Sequence, residues 1–200
     1  MAVKFKMKIK QTLGAIGWCL GATLLLSACV SEPSLSGTLR NGTYKSAAGK
    51  FSVPAPVSPE VGGRVKSDGP QSVTFTDNWG NRITFSSFAF NGQSSMEVVL
   101  KTEGREKALE GFMRREYGDS AKVHYHPSAR NGTASLGYLR PVGPRTGVAA
   151  FISGLRVYVV ETDLLPGVQM LAQGDERAQA DYGDWLEGRA VELAQSIEVE

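Results

Sequence analysis

Few side chains in this 200-residue chain are equipped for chemistry, and His124 and His126 are its only two histidines. On a strand, positions i and i+2 face the same side, so Lys122, His124 and His126 share one surface while Val123 and Tyr125 turn inward. Two imidazoles could hold Zn²⁺ or Cu²⁺ if a carboxylate or water completed the set. Lys122 would repel a cation and no third ligand is identifiable, so a solvated polar face is the plainer reading. Ser135 lies in Thr133-Ala134-Ser135-Leu136-Gly137, which lacks the first glycine of G-x-S-x-G and sits in a strand pattern without the strand-to-helix elbow. Asp175-Glu176, or Glu161 with Asp163, could do acid–base work, but acids at a helix start such as Asp175 and Glu176 complement the helix dipole. No P-loop or dinucleotide glycine pattern occurs. Trp79, in the turn Asp77-Asn78-Trp79-Gly80-Asn81, either marks a contact surface or folds back over a sheet edge. With Trp185 it could stack on sugars in a cell-wall module, although Trp185 falls beside a helical stripe. Neither a catalytic residue nor a cofactor is assigned.

The two cysteines belong to a different chemistry. Residues 1–10 carry Lys4, Lys6, Lys8 and Lys10 with no acid, and Leu13 to Leu26 is almost wholly apolar. These are the n-region and h-region of a secretory signal peptide. As a helix, about 14 apolar residues span only about 21 Å, short of the roughly 30 Å hydrocarbon core, so a retained transmembrane anchor is disfavoured. The run closes on Leu26-Ser27-Ala28-Cys29, which resembles the lipobox of bacterial lipoproteins. Small side chains admit the extended chain to a peptidase cleft, and the thiol is the handle for a diacylglycerol thioether. The resemblance implies cleavage between Ala28 and Cys29 and lipid on Cys29. Val30, where an aspartate would favour inner-membrane retention, is similar to outer-membrane cargo facing the periplasm. Cys19 leaves with the signal peptide, so the mature domain keeps no free thiol, and disulfides, thiolate metal sites and cysteine nucleophiles are excluded.

Charge follows the same division. The whole chain is +2, but removing the four leader lysines leaves 18 bases against 20 acids, a net of −2. A nucleic-acid-binding protein is therefore not indicated. With 42% hydrophobic and 21% charged residues, about 170 residues suffice for one core without disulfides.

Three segments follow from this: signal peptide 1–28, lipidated N-terminus and flexible tether 29–43, and globular domain 44–200. Within the last, a strand is expected between Tyr44 and Pro54, then a loop to Pro70. Val73 and Phe75 pair across the Trp79 turn with Ile83 and Phe85, and a bulge or strand end is expected where the apolar phase flips to Phe88 and Phe90. A short strand at Met96 to Leu100 precedes a helix over Lys101 to Tyr117, stopped by Gly118. Strands follow at Val123–Tyr125 and Ala134–Tyr138. Val148–Ile152 and Leu155–Val160 form a central hairpin covered on both faces. After Pro166-Gly167, a helix from Asp175 to Ile197 carries the stripe Tyr182, Leu186, Ala190, Leu193 and Ile197.

The expected fold is α+β, one domain with a mostly antiparallel sheet and two helices packed on it. Gly49-Lys50-Phe51-Ser52-Val53-Pro54, the early aromatic hairpin and the terminal helix after a long apolar hairpin resemble PsbP-like domains over about residues 44–199. That resemblance implies a fold and no particular function. The functional expectation is a membrane-anchored, non-enzymatic domain that binds an envelope protein partner or supports an assembly. The alternative is a small-ligand carrier or hydrolase with its site on the sheet face near His124 and His126.

Overall fold

The computed structural model describes residues 35–56, 64–76, 81–90, 95–119, 121–129, 131–139, 145–163 and 175–200. The lipobox with Cys29, the turn carrying Trp79, and Pro166-Gly167 lie outside them.

Alternation of apolar and polar residues builds two antiparallel sheets. The smaller joins β1 (Thr38–Arg40), β2 (Thr43–Lys45), β3 (Phe51–Pro54) and β11 (Glu198–Val199) in the order β1-β2-β3-β11. The larger comprises β4 (Arg64–Gly69), β5 (Ser72–Thr76), β6 (Arg82–Ala89), β7 (His124–His126), β8 (Thr133–Leu139), β9 (Arg145–Ser153) and β10 (Arg156–Asp163). Its order is β4-β5-β6-β10-β9-β8-β7, which places the apolar β9–β10 hairpin at the centre as expected. Three helices complete the α+β fold among the described residues: α1 (Ser95–Thr102), α2 (Arg105–Tyr117) and α3 (Glu176–Gln195).

Two cores lie on opposite faces of the large sheet. Phe75, Phe85, Phe151, Tyr158 and Val160 face the small sheet and α3, meeting Tyr44, Phe51, Leu186, Ala190 and Ile197. Leu136, Val148, Ala150, Ile152, Val157 and Val159 face α1 and α2, meeting Met96, Leu109, Phe112 and Met113. The helical stripe read from the sequence is thus the buried side of α3, while Trp185 stands 45% exposed against Tyr182.

Several expectations need correction. The tether 29–43 includes β1, because Asn41 and Gly42, at φ 49° and 74°, close a hairpin that pairs Arg40 with Thr43. The presumed loop before Pro70 contains β4, a polar edge strand without alternation whose register shifts between Val65 and Ser67. Strand β6 runs unbroken to Ala89. There Ser87, not an apolar residue, takes the buried position, donating from Oγ to the Gly49 carbonyl (2.7 Å) and accepting from Arg156 (2.9 Å). Phe88 then turns to the other face, 6.1 Å from Phe112. Met96 to Leu100 is helical. Met96, Val99 and Leu100 pack at i, i+3 and i+4 on the second core, and Lys101 pairs with Glu97 one turn back at 2.6 Å. The expected single helix is divided by Gly104, whose φ of 93° suits glycine. Strand β11 was not expected.

Candidate functional site

Close approach of α3 to β9 brings His124, His126, Ser135 and Glu187 together. Gly147 lies under the backbone of Leu186 and Glu187, where any Cβ would collide with the Leu186 carbonyl. Thr162 on β10 donates toward the Leu186 carbonyl oxygen at 3.1 Å and toward that of Gly147 at 3.2 Å, fastening helix and hairpin together. With α3 held this low, Glu187 projects between helix and sheet over the β8–β7 edge.

Glu187 there meets both histidines' strand. Its Oε1 accepts from Ser135 Oγ at 2.5 Å and lies 2.7 Å from His124 Nδ1. His126 Nε2 is 2.7 Å from Ser135 Oγ. A hydroxyl has one proton, and a carboxylate only accepts. Ser135 therefore spends its proton on Glu187 and accepts from His126 Nε2–H, and His124 Nδ1–H donates to Glu187. The chain of donors runs His126 to Ser135 to Glu187, with His124 closing it from the other side.

This arrangement does not present Ser135 as a nucleophile. A hydrolytic serine must give its proton to a base and present its oxygen to a substrate. Here the hydroxyl is directed at a carboxylate, and Ser135 is 0% exposed. As expected, His124 and His126 share one face. The carboxylate that sequence reading could not supply is Glu187, 61 residues beyond His126 and legible only as a polar position beside the α3 stripe. Nδ1 of His124 and Nε2 of His126 are nevertheless directed at Glu187 and Ser135. Among the described residues, no three of His, Cys, Asp and Glu are placed to share an ion. Asp175 takes the helix-start role: its Oδ1 accepts from the Arg177 backbone at 3.0 Å.

Glu161 and Asp163 lie apart from this cluster, on the opposite face of the large sheet. Glu161 accepts from Tyr117 Oη at 2.7 Å, and Asp163 accepts from Thr146 at 2.7 Å and Arg82 at 2.5 Å. With Lys66, Thr74 and Thr84 they line a shallow hollow of 180 Å³ on the β4-β5-β6-β10 side. Thr74 and Thr84 hydroxyls are hydrogen-bonded across it at 3.0 Å. Burial, with the nearby negative charge of Asp163, pushes the Tyr182 phenol up to about 12.

A second polar junction stands where the chain comes into the fold. Asp68 Oδ2 on β4 accepts from Gly37 N at 2.9 Å and from Tyr44 Oη at 3.0 Å. Burial raises the Asp68 carboxyl, but the backbone N–H groups of Gly37 and Ser36 and the Tyr44 hydroxyl together hold it below the usual carboxylate range.

No family model and no curated protein match this chain. Several solved structures are similar to it in backbone. A Bacteroides thetaiotaomicron protein is 15% identical over 81% of this chain, with a TM-score of 0.42, and the chain spans 49% of that protein. The Saccharomyces cerevisiae Ran-binding protein Mog1p is 9% identical over 81% of this chain and 96% of its own, with a TM-score of 0.44. Cyanobacterial PsbP from Synechocystis is 9% identical over 79% of this chain and 91% of its own, with a TM-score of 0.38.

Proposed function

We propose that this protein is a bacterial envelope lipoprotein, held by lipid on Cys29 at the outer membrane and facing the periplasm, whose domain binds a protein partner and catalyses no reaction. The observation that carries the non-enzymatic reading is the sealing of Ser135. In the best convergence of His, Ser and Glu in the described fold, Ser135 is fully buried, its proton lies on Glu187 and its oxygen accepts from His126. The anchoring reading rests on the charged leader, the apolar run and Leu26-Ser27-Ala28-Cys29.

The hollow at Lys66, Arg82, Glu161 and Asp163 supports a protein partner better than a small ligand. It is shallow, carries both signs of charge, and its carboxylates already have donors. Such a surface gives orientation and selectivity against a complementary protein face. A photo-crosslinking amino acid at the exposed position Lys66 in intact cells should give one discrete adduct with an envelope protein. The same group at Asp184, exposed on α3, should give none, and Glu161→Lys should weaken the Lys66 adduct. Equal labelling from both positions, or none from Lys66, would overturn the assignment.

A further inference from the structure

We infer that the end of the domain formed by the β9–β10 turn, Lys50 and Phe88 docks edge-on against the lipid bilayer that holds the anchor. This rests on the lipid-anchored reading and adds an orientation to it.

Three adjoining hollows run along this end. One of 130 Å³ and one of 120 Å³ share Met96, Phe112 and Arg115. The second shares Ala89 and Phe90 with a third of 440 Å³ that reaches Leu155, Arg156 and Lys50. Phe88 and Leu155 are 48% and 52% exposed beside them. Isolated exposed apolar residues are ordinary, but a continuous strip that includes aromatic rings marks a contact surface.

Charge along the strip selects the occupant. Lys50, Lys107, Arg115 and Arg156 line it. Lys107 and Arg115 are held by Glu110 and Glu116, and Glu200 is held by Lys45. Among the described residues, no carboxylate is paired with Lys50 or Arg156. Apolar side chains beside these two bases suit the headgroup–acyl boundary of a membrane containing anionic lipid.

The path of the chain brings that membrane within reach. Gly37, where the Asp68 carboxylate fixes the backbone, is eight residue steps beyond Cys29, so the lipidated cysteine lies at most about 28 Å from that point. In the sheet, Asp68 pairs with Val73 and Val73 with Phe85. Phe88 is three residues further along β6, which sets it about 14 Å from Asp68 by strand rise and spacing. The turn at Leu155 lies beyond it, since Phe90 N donates to the Leu155 carbonyl at 2.8 Å. A bilayer that holds the lipid can therefore meet Phe88, Leu155 and Lys50 together.

The test uses the lipidated mature protein reconstituted into vesicles of phosphatidylcholine, with or without phosphatidylglycerol. Leu155→Cys and, at the far end of the domain, Arg177→Cys each carry an environment-sensitive fluorophore. The expected result is a blue shift and bromolipid quenching at position 155, stronger with phosphatidylglycerol, and neither at position 177. Lys50→Ala should lower the docking equilibrium about five-fold on anionic vesicles, as about 1 kcal/mol per basic side chain implies. A position-155 probe that stays aqueous while the protein floats with the vesicles would overturn docking and leave the anchor standing. A probe that stays aqueous on vesicles and shifts only on adding envelope proteins would assign the strip to a protein and overturn docking. So would a shift that depends on protein density and not on lipid charge, because it would mark a second copy as the occupant. Protein that fails to float and whose intact mass shows no acyl chains would instead overturn the anchoring reading itself.

Discussion

The carbonyl of Leu186 on α3 rests on the Cα of Gly147 on β9, with no room between them for a methyl group. Helix height over the sheet, and with it the reach of Glu187 to Ser135 and His124, is set by that contact.

Gly147→Ala should therefore destabilise the domain by about 1–3 kcal/mol, the usual cost of forcing volume into a packed interface. The colliding atoms are backbone, so no side chain can swing aside. Gly188, one residue beyond Glu187, has open space where its Cβ would stand. Gly188→Ala should stabilise by up to about 1 kcal/mol, from helix propensity. Urea midpoints with unchanged slopes would check both. Equal effects of the same sign would show that the close approach at Gly147 is not what sets helix height.

The Ser135–Glu187 bond is short and buried, so the two residues should act as one unit. Ser135→Ala leaves a buried carboxylate without one of its donors and should cost about 1–3 kcal/mol. Once Glu187 is replaced by leucine, the same serine change should cost much less. A double-mutant cycle should give a coupling of about 1 kcal/mol or more, within the range for hydrogen-bonded neighbours. Additive costs would show that Ser135 and Glu187 do not act as a unit.

Much of this frame is legible in the primary structure because its physics is local. The β9–β10 hairpin shows itself as two apolar runs flanking Gly154, and the α3 stripe as a 3.6-residue period. What escapes has non-local causes. Ser87 looks like a strand breaker until Gly49 and Arg156 supply its partners. Met96 to Leu100 looks like a strand because Val98 and Val99 are β-branched, and only the docking of Met96, Val99 and Leu100 on the second core makes it a helix. Strand β4 has no hydrophobic alternation at all, being an edge held by pairing with β5. The site is harder still. His124, His126 and Ser135 can be found in the sequence, but Glu187 joins them only through the contact between Gly147 and Leu186.

Asp68 makes the start of the fold sensitive to acid. Its carboxyl titrates lower in the folded domain than in the unfolded chain, where about 3.9 is normal. The ionised form is thus favoured by folding, and its contribution is complete above about pH 4 and is lost as pH falls through the folded value. Asp68→Asn should be less stable than the parent at pH 7, and the difference should shrink below about pH 4. Urea midpoints of the two proteins across that window provide the measurement. A difference independent of pH would mean that the Gly37 and Tyr44 contacts do not depend on the charge.

Cys29 tests where the domain resides. A thioether forms only on sulfur, and in the lipoprotein class cleavage follows lipid attachment. Cys29→Ser should therefore abolish incorporation of labelled fatty acid and leave an uncut precursor, larger than the mature protein by the signal peptide. The fold lies on the far side of the Asp68 junction and should be unaffected, so the same variant should unfold at the parent's urea midpoint. Normal processing of Cys29→Ser would show an ordinary signal peptidase at work and a domain released from the membrane. Docking of Phe88 and Leu155 would then lack the tether that brings them to lipid, because a strip of this size without acyl chains gives only marginal, reversible membrane association.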